Sequence, residues 1–180
     1  KFAAQAQGFD INIGGCSYGG PPTFFDPYRI PFLKDRREGE YLPDRLADET
    51  ITFMRQQVKA KKPFYVALWN YTVHWPMEAP EEFVAKWADK PKVGYNHKVY
   101  PAMLETMDLA IARVLAELKK LQVEEETFVV FTSDNGPFGG AGDARPLRGD
   151  KGHLYEGGIR VPLIVRWPGR VAAGKVSGLP

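Results

Sequence analysis

The sequence predicts an α/β fold, a layered sandwich with a largely parallel central sheet flanked by helices and incomplete at both ends. Two observations carry this. Three short apolar runs, Pro63-Phe-Tyr-Val-Ala-Leu-Trp69, Thr127-Phe-Val-Val-Phe-Thr132 and Val161-Pro-Leu-Ile-Val-Arg-Trp167, have the continuous pattern of strands covered on both faces. Helical periodicity precedes the first run and separates it from the second, and strands alternating with helices argue for layers around a parallel sheet.

In chain order, residues 8–36 come first, rich in Gly, Pro and aromatics, including Gly14-Gly15, Gly19-Gly20-Pro21-Pro22 and Phe24-Phe25. So many aromatics do not suit a flexible linker, and the segment reads as an irregular but ordered loop. Asp44 or Asp48 is placed to cap a helix running to about Lys61, with Leu46, Ile51, Met54 and Val58 on one face. Lys59 to Lys62 stand at its end, where positive charge suits the helix dipole. The first apolar run follows, then a Pro-rich loop over 72–80. The clearest helix spans about Pro101 to Gln122, with Leu104, Met107, Ile111, Val114, Leu115, Leu118 and Leu121 as its apolar stripe. At ~1.5 Å per residue it reaches roughly 30 Å, the width of a small domain. The second run ends in Ser133-Asp134-Asn135-Gly136, a Gly-rich loop fills 136–158, and the third run closes the pattern. In open α/β sheets ligands sit beyond the carboxyl ends of the strands, which points to 70–80 and 133–160.

The chain of 180 residues has 44% hydrophobic and 26% charged residues, ordinary for one soluble domain with a sizeable core. A net charge of +2 gives no reason to expect nucleic acid or an anionic membrane as partner. No apolar run approaches the ~20 residues that span a bilayer. The single cysteine, Cys16, excludes an internal disulfide, and its neighbourhood supports a small half-buried loop residue rather than a nucleophile. The chain opens at Lys1-Phe2 without an initiator Met or signal pattern and stops at Leu179-Pro180. Both ends read as cuts through a larger protein, so residues 1–180 are expected to be part of a longer domain.

Several side chains suit chemistry. Asp134 and Asn135 offer a carboxylate and an amide oxygen, the ligands a hard cation prefers, but Asp-Asn-Gly is equally an excellent turn sequence. His74, just past the first apolar run, has the chemistry to donate a proton to a leaving group or hydrogen-bond an anion; the plain alternative is a structural histidine beside Trp75. Arg145, Arg148 and Lys151 cluster between Asp143 and Gly152, either as an oxyanion site that Gly149 and Gly152 let a ligand approach, or as a solvated charged loop. Glu156 and Arg160 are spaced for a salt bridge that braces this loop. His97 and His153 carry no assigned chemistry. Trp69, Tyr71 and Trp75 are candidates for stacking on a sugar or aryl ring, or for packing.

Together these segments resemble the formylglycine-dependent (type I) sulfatase family of the alkaline phosphatase superfamily. The resemblance runs through Gly8-Phe9-Asp10, Gly39-Glu-Tyr-Leu-Pro-Asp44-Arg-Leu-Ala-Asp48-Glu, and Lys62-Pro-Phe-Tyr to His74-Trp-Pro-Met-Glu-Ala-Pro80. It continues through Tyr100-Pro-Ala-Met to Asp108, Phe131-Thr-Ser-Asp134-Asn135-Gly136, Leu147-Arg-Gly-Asp-Lys151-Gly and Tyr155-Glu-Gly-Gly-Ile-Arg160-Val-Pro162. It implies that Asp134 and Asn135 are the later pair of Ca²⁺ ligands, with Mg²⁺ as the alternative ion. It also implies that Lys151 contacts the sulfate, and that His74 binds it and protonates the leaving oxygen. Attack on sulfur comes, in that family, from the hydrate of formylglycine, made from a Cys or Ser in a Cys/Ser-x-Pro-x-Arg motif. That motif is absent here, as are the early aspartate pair and the Gly-Lys-x-His-x-Gly segment, and Cys16 stands where many relatives have a histidine. The resemblance therefore implies a sulfuric ester hydrolase acting on an aryl or carbohydrate sulfate, periplasmic or secreted, whose nucleophile lies upstream. A phosphoryl or phosphonyl hydrolase of the same superfamily is the alternative. The chain by itself is expected to be catalytically inert, and poorly soluble or partly unfolded.

Overall fold

A computed structural model describes residues 3–178; the expectations about Lys1-Phe2 and Leu179-Pro180 lie outside the described residues. The chain divides into two compact units, Lys1–Pro91 with Lys98–Val114, and Lys92–His97 with Leu115–Pro180. In order the elements are α1 (Leu42–Lys59), α2 (Glu81–Ala88), α3 (Tyr100–Lys120), β1 (Val129–Thr132), α4 (Glu156–Ile159) and β2 (Leu163–Arg166), after a 3₁₀ turn at Ala4–Gln7.

In the first unit, the irregular segment before α1 supplies much of the core. Phe24, Tyr28, Ile30 and Leu33 are buried against Tyr41, Leu42 and Leu46 of the α1 start and Val99 and Met103 at the start of α3. Helix α1 begins at Leu42 with Tyr41 as its N-cap and no capping side chain, so neither Asp44 nor Asp48 caps it. Pro43 occupies the first turn, where its missing N–H costs nothing, and Asp44 sits there against the positive end of the helix dipole. Both aspartates instead receive Arg113 of α3. Of the expected stripe, Leu46, Ile51 and Met54 are buried. In α3 the most buried positions in this unit, Ala102, Met103, Thr106 and Ala110, lie beside the predicted stripe, and Leu104 is 38% exposed. Ala102, Thr106 and Ala110 are small and let the helix pack closely around Met103, which the count of large apolar residues does not register.

Residues 63–69 form no strand. Leu68 packs on the core, but Tyr65 and Trp69 are exposed, at 76% and 82%, rather than covered on both faces. A strand exists only where a neighbour accepts its backbone hydrogen bonds, and among the described residues none does so here.

Glu40 anchors the segment before α1. It is 5% exposed, and its carboxylate accepts the Tyr28 hydroxyl at 3.0 Å and Arg36 Nε at 2.9 Å, with Arg45 at 3.5 Å. Burial alone pushes this carboxyl up; the hydrogen bonds from Arg36 and Tyr28 and the charges of Arg36 and Arg45 outweigh burial and leave it below the ordinary value. A depressed carboxyl stabilises the fold above its unfolded pKa of about 4.3, and that stabilisation disappears as pH falls through the folded value. Replacing Glu40 by Gln is expected to lower stability at neutral pH by about 2 kcal/mol, because the buried site loses its charge-assisted bonds from Arg36 and Tyr28, while Arg45 keeps Glu49 at 2.8 Å. The acid limb of a urea-unfolding series against pH should flatten in the same variant. An unchanged acid limb would show that Glu40 is not the group responsible.

In the second unit, β1 and β2 pair antiparallel, Val129 opposite Arg166 and Thr132 opposite Leu163. The α/β class stands, but the pair this chain builds runs opposite to the largely parallel arrangement expected. The cause is local. The Gly136 N–H donates to the Gly158 carbonyl at 2.8 Å, so the connection returns to the end of β1 from which it left. Strand β2 therefore starts beside the end of β1 and runs back along it; a parallel return needs a crossover over the face of the sheet. The expected double burial is also absent: Val130, Phe131, Leu163 and Ile164 are 46%, 36%, 66% and 58% exposed.

Candidate functional site

The loop from β1 to β2 carries five of the six predicted site residues. Asp134 and Asn135 emerge directly from the carboxyl end of β1, and the Ser133 hydroxyl donates to the Asn135 carbonyl at 2.8 Å to set the turn. Both early readings of this tripeptide are thus compatible: it is a turn, and it exposes the Asp134 carboxylate. The backbone N–H of Lys151 donates to the Pro137 carbonyl at 2.9 Å, which brings the lysine back to within two residues of Asn135 in the fold. The fifteen residues between Asn135 and Lys151 are closed by that bond and by Gly157 N–H to the Arg148 carbonyl at 2.8 Å.

Glycine makes this closure possible. A Cβ on Gly136 would stand 1.9 Å from the Gly157 carbonyl oxygen, and one on Gly157 would stand 2.0 Å from that of Gly149. Gly149 itself has φ of +79°, the left-handed region glycine adopts without strain. The sequence suggested that Gly149 and Gly152 admit a ligand; the structure shows the Gly149 carbonyl pressed against the loop's own backbone.

The basic cluster separates. Arg145 pairs with Asp143, whose carboxyl is drawn down to about 2 by hydrogen bonds from the Arg145 side chain and backbone. The Arg148 guanidinium lies 3.8 Å from the centre of the Tyr155 ring, a cation–π contact. Asp150 receives His153 Nδ1 at 2.7 Å. Lys151 is half-buried, and its stem leaves from a fixed backbone. Arg160 reaches Glu156 at 3.0 Å, as its spacing suggests, but both side chains are exposed, at 67% and 62%. An exposed ion pair of this kind contributes at most about 1 kcal/mol. Asn96 adds a tie the sequence did not signal: its side-chain amide donates to the Gly139 and Gly142 carbonyls at 2.8 and 3.2 Å.

His74 belongs to the first unit, on the loop between 71 and 80. It is half-buried, and its N–H donates to the Tyr71 carbonyl at 2.8 Å. The Tyr71 hydroxyl donates to the Gly14 carbonyl at 2.7 Å and lies 3.1 Å from Cys16 Sγ. Burial and the neighbouring Cys16 push the Tyr71 hydroxyl well above its ordinary pKa, so it stays protonated. Cys16 is half-buried and packs on the core, as a small loop residue would. Of the candidate stacking residues Trp69 and Trp75 are exposed, while Tyr71 is spent on this hydrogen bonding. At the far end of the loop, Glu78 accepts the Thr23 hydroxyl at 2.8 Å and the Phe24 N–H at 2.7 Å. No sequence signal singled out Glu78, although a carboxylate among Pro, Met and Ala residues demands a partner.

As metal ligands, Asp134 and Asn135 fit a hard cation by donor type, since both present oxygen at a turn. They are two ligands of such a site; no group of three His, Cys, Asp or Glu side chains placed to hold an ion occurs among the described residues.

A family model described as Sulfatase matches residues 4–179. A sulfatase of Formosa agariphila is 34% identical over 148 residues, covering 77% of this chain and 27% of that protein. Mouse steryl-sulfatase is 38% identical over 149 residues, covering 77% of this chain and 22% of its own length. Among solved structures, that of Ps i-CgsB in complex with k-i-k-neocarrahexaose superposes with a TM-score of 0.69 at 35% identity, over 78% of this chain and 31% of that one. The chain thus spans about a quarter of the length of these curated relatives. Motifs in order, a shared fold and a match along nearly every residue agree: the chain belongs to the sulfatase family.

Proposed function

We propose that the full-length protein hydrolyses sulfate esters with a bound divalent cation, and that this chain supplies part of the site that holds the ion and the sulfate. The observation that carries the reading is the closed β1–β2 loop, in which Lys151 N–H on the Pro137 carbonyl returns a lysine to the Asp134-Asn135 turn. In this reading Asp134 and Asn135 hold Ca²⁺, or Mg²⁺ in its place. The ion supplies positive charge that neutralises the sulfate oxygens. Lys151 presents a compact ammonium to the same oxygens, and a charge placed in advance costs no reorganisation during reaction. His74 hydrogen-bonds the ester and delivers a proton to the departing oxygen. The nucleophile comes from outside these residues, as the formylglycine of the Cys/Ser-x-Pro-x-Arg motif. Glu156 and Arg160 brace the loop at its surface.

The substrate class in this reading is a sulfated glycan or aryl sulfate. A relative solved with a neocarrahexaose and another described as an ulvan-active sulfatase, also of Formosa agariphila, support the glycan. The same reading assigns the protein to the periplasm or the exterior; no helix among the described residues is long and apolar enough to cross a membrane.

The test is sulfate release by the full-length protein from para-nitrophenyl sulfate and from sulfated oligosaccharides, before and after chelation with EDTA. Activity is expected to vanish on chelation and to return with Ca²⁺. The matched aryl phosphate should be the slower substrate. Faster phosphate release, or sulfate release indifferent to chelation, sinks the reading.

A further inference from the structure

The loop that bears His74 is irregular from residue 71 until it meets α2 at Glu81, and two prolines, Pro76 and Pro80, remove backbone donors from it. We propose that Glu78 is the positioning residue for His74, clamping the 71–78 segment onto residues 14–24 so that the imidazole meets the leaving oxygen; this rests on the reading of His74 as proton donor.

The clamp has two ends and a close contact between them. At one end the Tyr71 hydroxyl is tied to the Gly14 carbonyl. At the other, one oxygen of Glu78 accepts both the Thr23 hydroxyl and the Phe24 N–H. The Phe25 N–H donates to Thr23 Oγ at 3.1 Å, which occupies a lone pair and leaves the hydroxyl proton for Glu78. The Tyr41 hydroxyl also donates to the Glu78 carbonyl at 2.9 Å, joining the clamp to the N-cap of α1. Between the ends, Gly20 lies so near the Trp75 backbone that a Cβ there would be 2.5 Å from its carbonyl oxygen and 3.3 Å from His74 Cβ. His74 is therefore held on both sides within four residues, by ties that do not touch its ring.

Because a single Glu78 oxygen receives both donors, geometry rather than charge carries the role. Glu78→Ala in the full-length protein should lower kcat by on the order of 10- to 100-fold with KM little changed, the scale of a misplaced catalytic group. The loss should be larger on phenyl sulfate than on para-nitrophenyl sulfate, since the poorer leaving group depends more on the proton His74 delivers. Glu78→Gln keeps an acceptor oxygen at the same place and should restore most of the rate. Equal losses on the two esters, or a Gln variant as poor as Ala, overturns the proposal. Where Glu78→Ala does not fold, Thr23→Val removes one donor at constant shape; it should show the same leaving-group dependence, and its absence there is equally fatal. His74→Ala, assayed alongside, separates the two levels. If that variant keeps full activity, the role of His74 itself fails; if it loses activity while the Glu78 signature is missing, only the clamp fails.

Discussion

Replacing Lys151 by Ala in the full-length protein should lower kcat/KM for para-nitrophenyl sulfate by on the order of 10²- to 10³-fold, the cost of removing one preorganised stabiliser of a developing oxyanion. The melting transition should stay close to that of the wild type. The backbone N–H of this residue on the Pro137 carbonyl is part of the loop closure, and alanine keeps it. Lys151→Arg should recover little, because a planar guanidinium on a different stem does not replace a compact ammonium at a fixed point. A rate unchanged by either substitution would remove Lys151 from the sulfate site and leave the loop as a charged surface feature. An alanine variant that loses rate and stability together would point to a structural lysine instead.

The second large effect is expected at Gly157. Within a helix, Gly to Ala ordinarily gains about 1 kcal/mol. Here the sign reverses. The added Cβ would lie 2.0 Å from the Gly149 carbonyl oxygen and 2.7 Å from that of Arg148, and both are backbone atoms that cannot rotate away. Gly157→Ala should destabilise the protein by about 4 kcal/mol or more, in the range reserved for disrupted backbone packing. Chemical unfolding of the full-length protein measures it, with Gly19→Ala as control. Gly19 has open space around its Cβ position and no positive φ, so its substitution should stay within about 0.5 kcal/mol. Activity should fall with Gly157→Ala as well, since the displaced backbone is the one that returns Lys151 to the Asp134-Asn135 turn. A Gly157→Ala variant with wild-type unfolding would mean that the loop closes in some other way.

The prediction at Gly157 shows where sequence and structure part. The Gly-Gly pair was legible as part of a Gly-rich loop, yet nothing in its neighbours reveals that the atoms facing Gly157 are the carbonyls of residues 148 and 149. Glu78 is the same case: its partners Thr23 and Phe24 lie 55 and 54 positions away. Helix α2 also passed unread, because its eight residues leave too few turns for a period to emerge.

By itself, the sequence determined what depends on neighbours a few positions apart. The spans of α1 and α3 follow from periodic apolar residues and terminal charges. The turn at Asp134-Asn135-Gly136 follows from its own backbone chemistry, and the order of the chemical motifs determined the family. Tertiary structure alone decided the direction of β2 against β1, the absence of a strand at 63–69, the burial of Phe24 and Tyr28 from an irregular segment, and the approach of Lys151 to the turn. The physical reason is common to all four. Strand pairing, burial and backbone-to-backbone contact are set by atoms far away in the chain, and a local pattern records a residue's preference without recording what the fold brings to meet it.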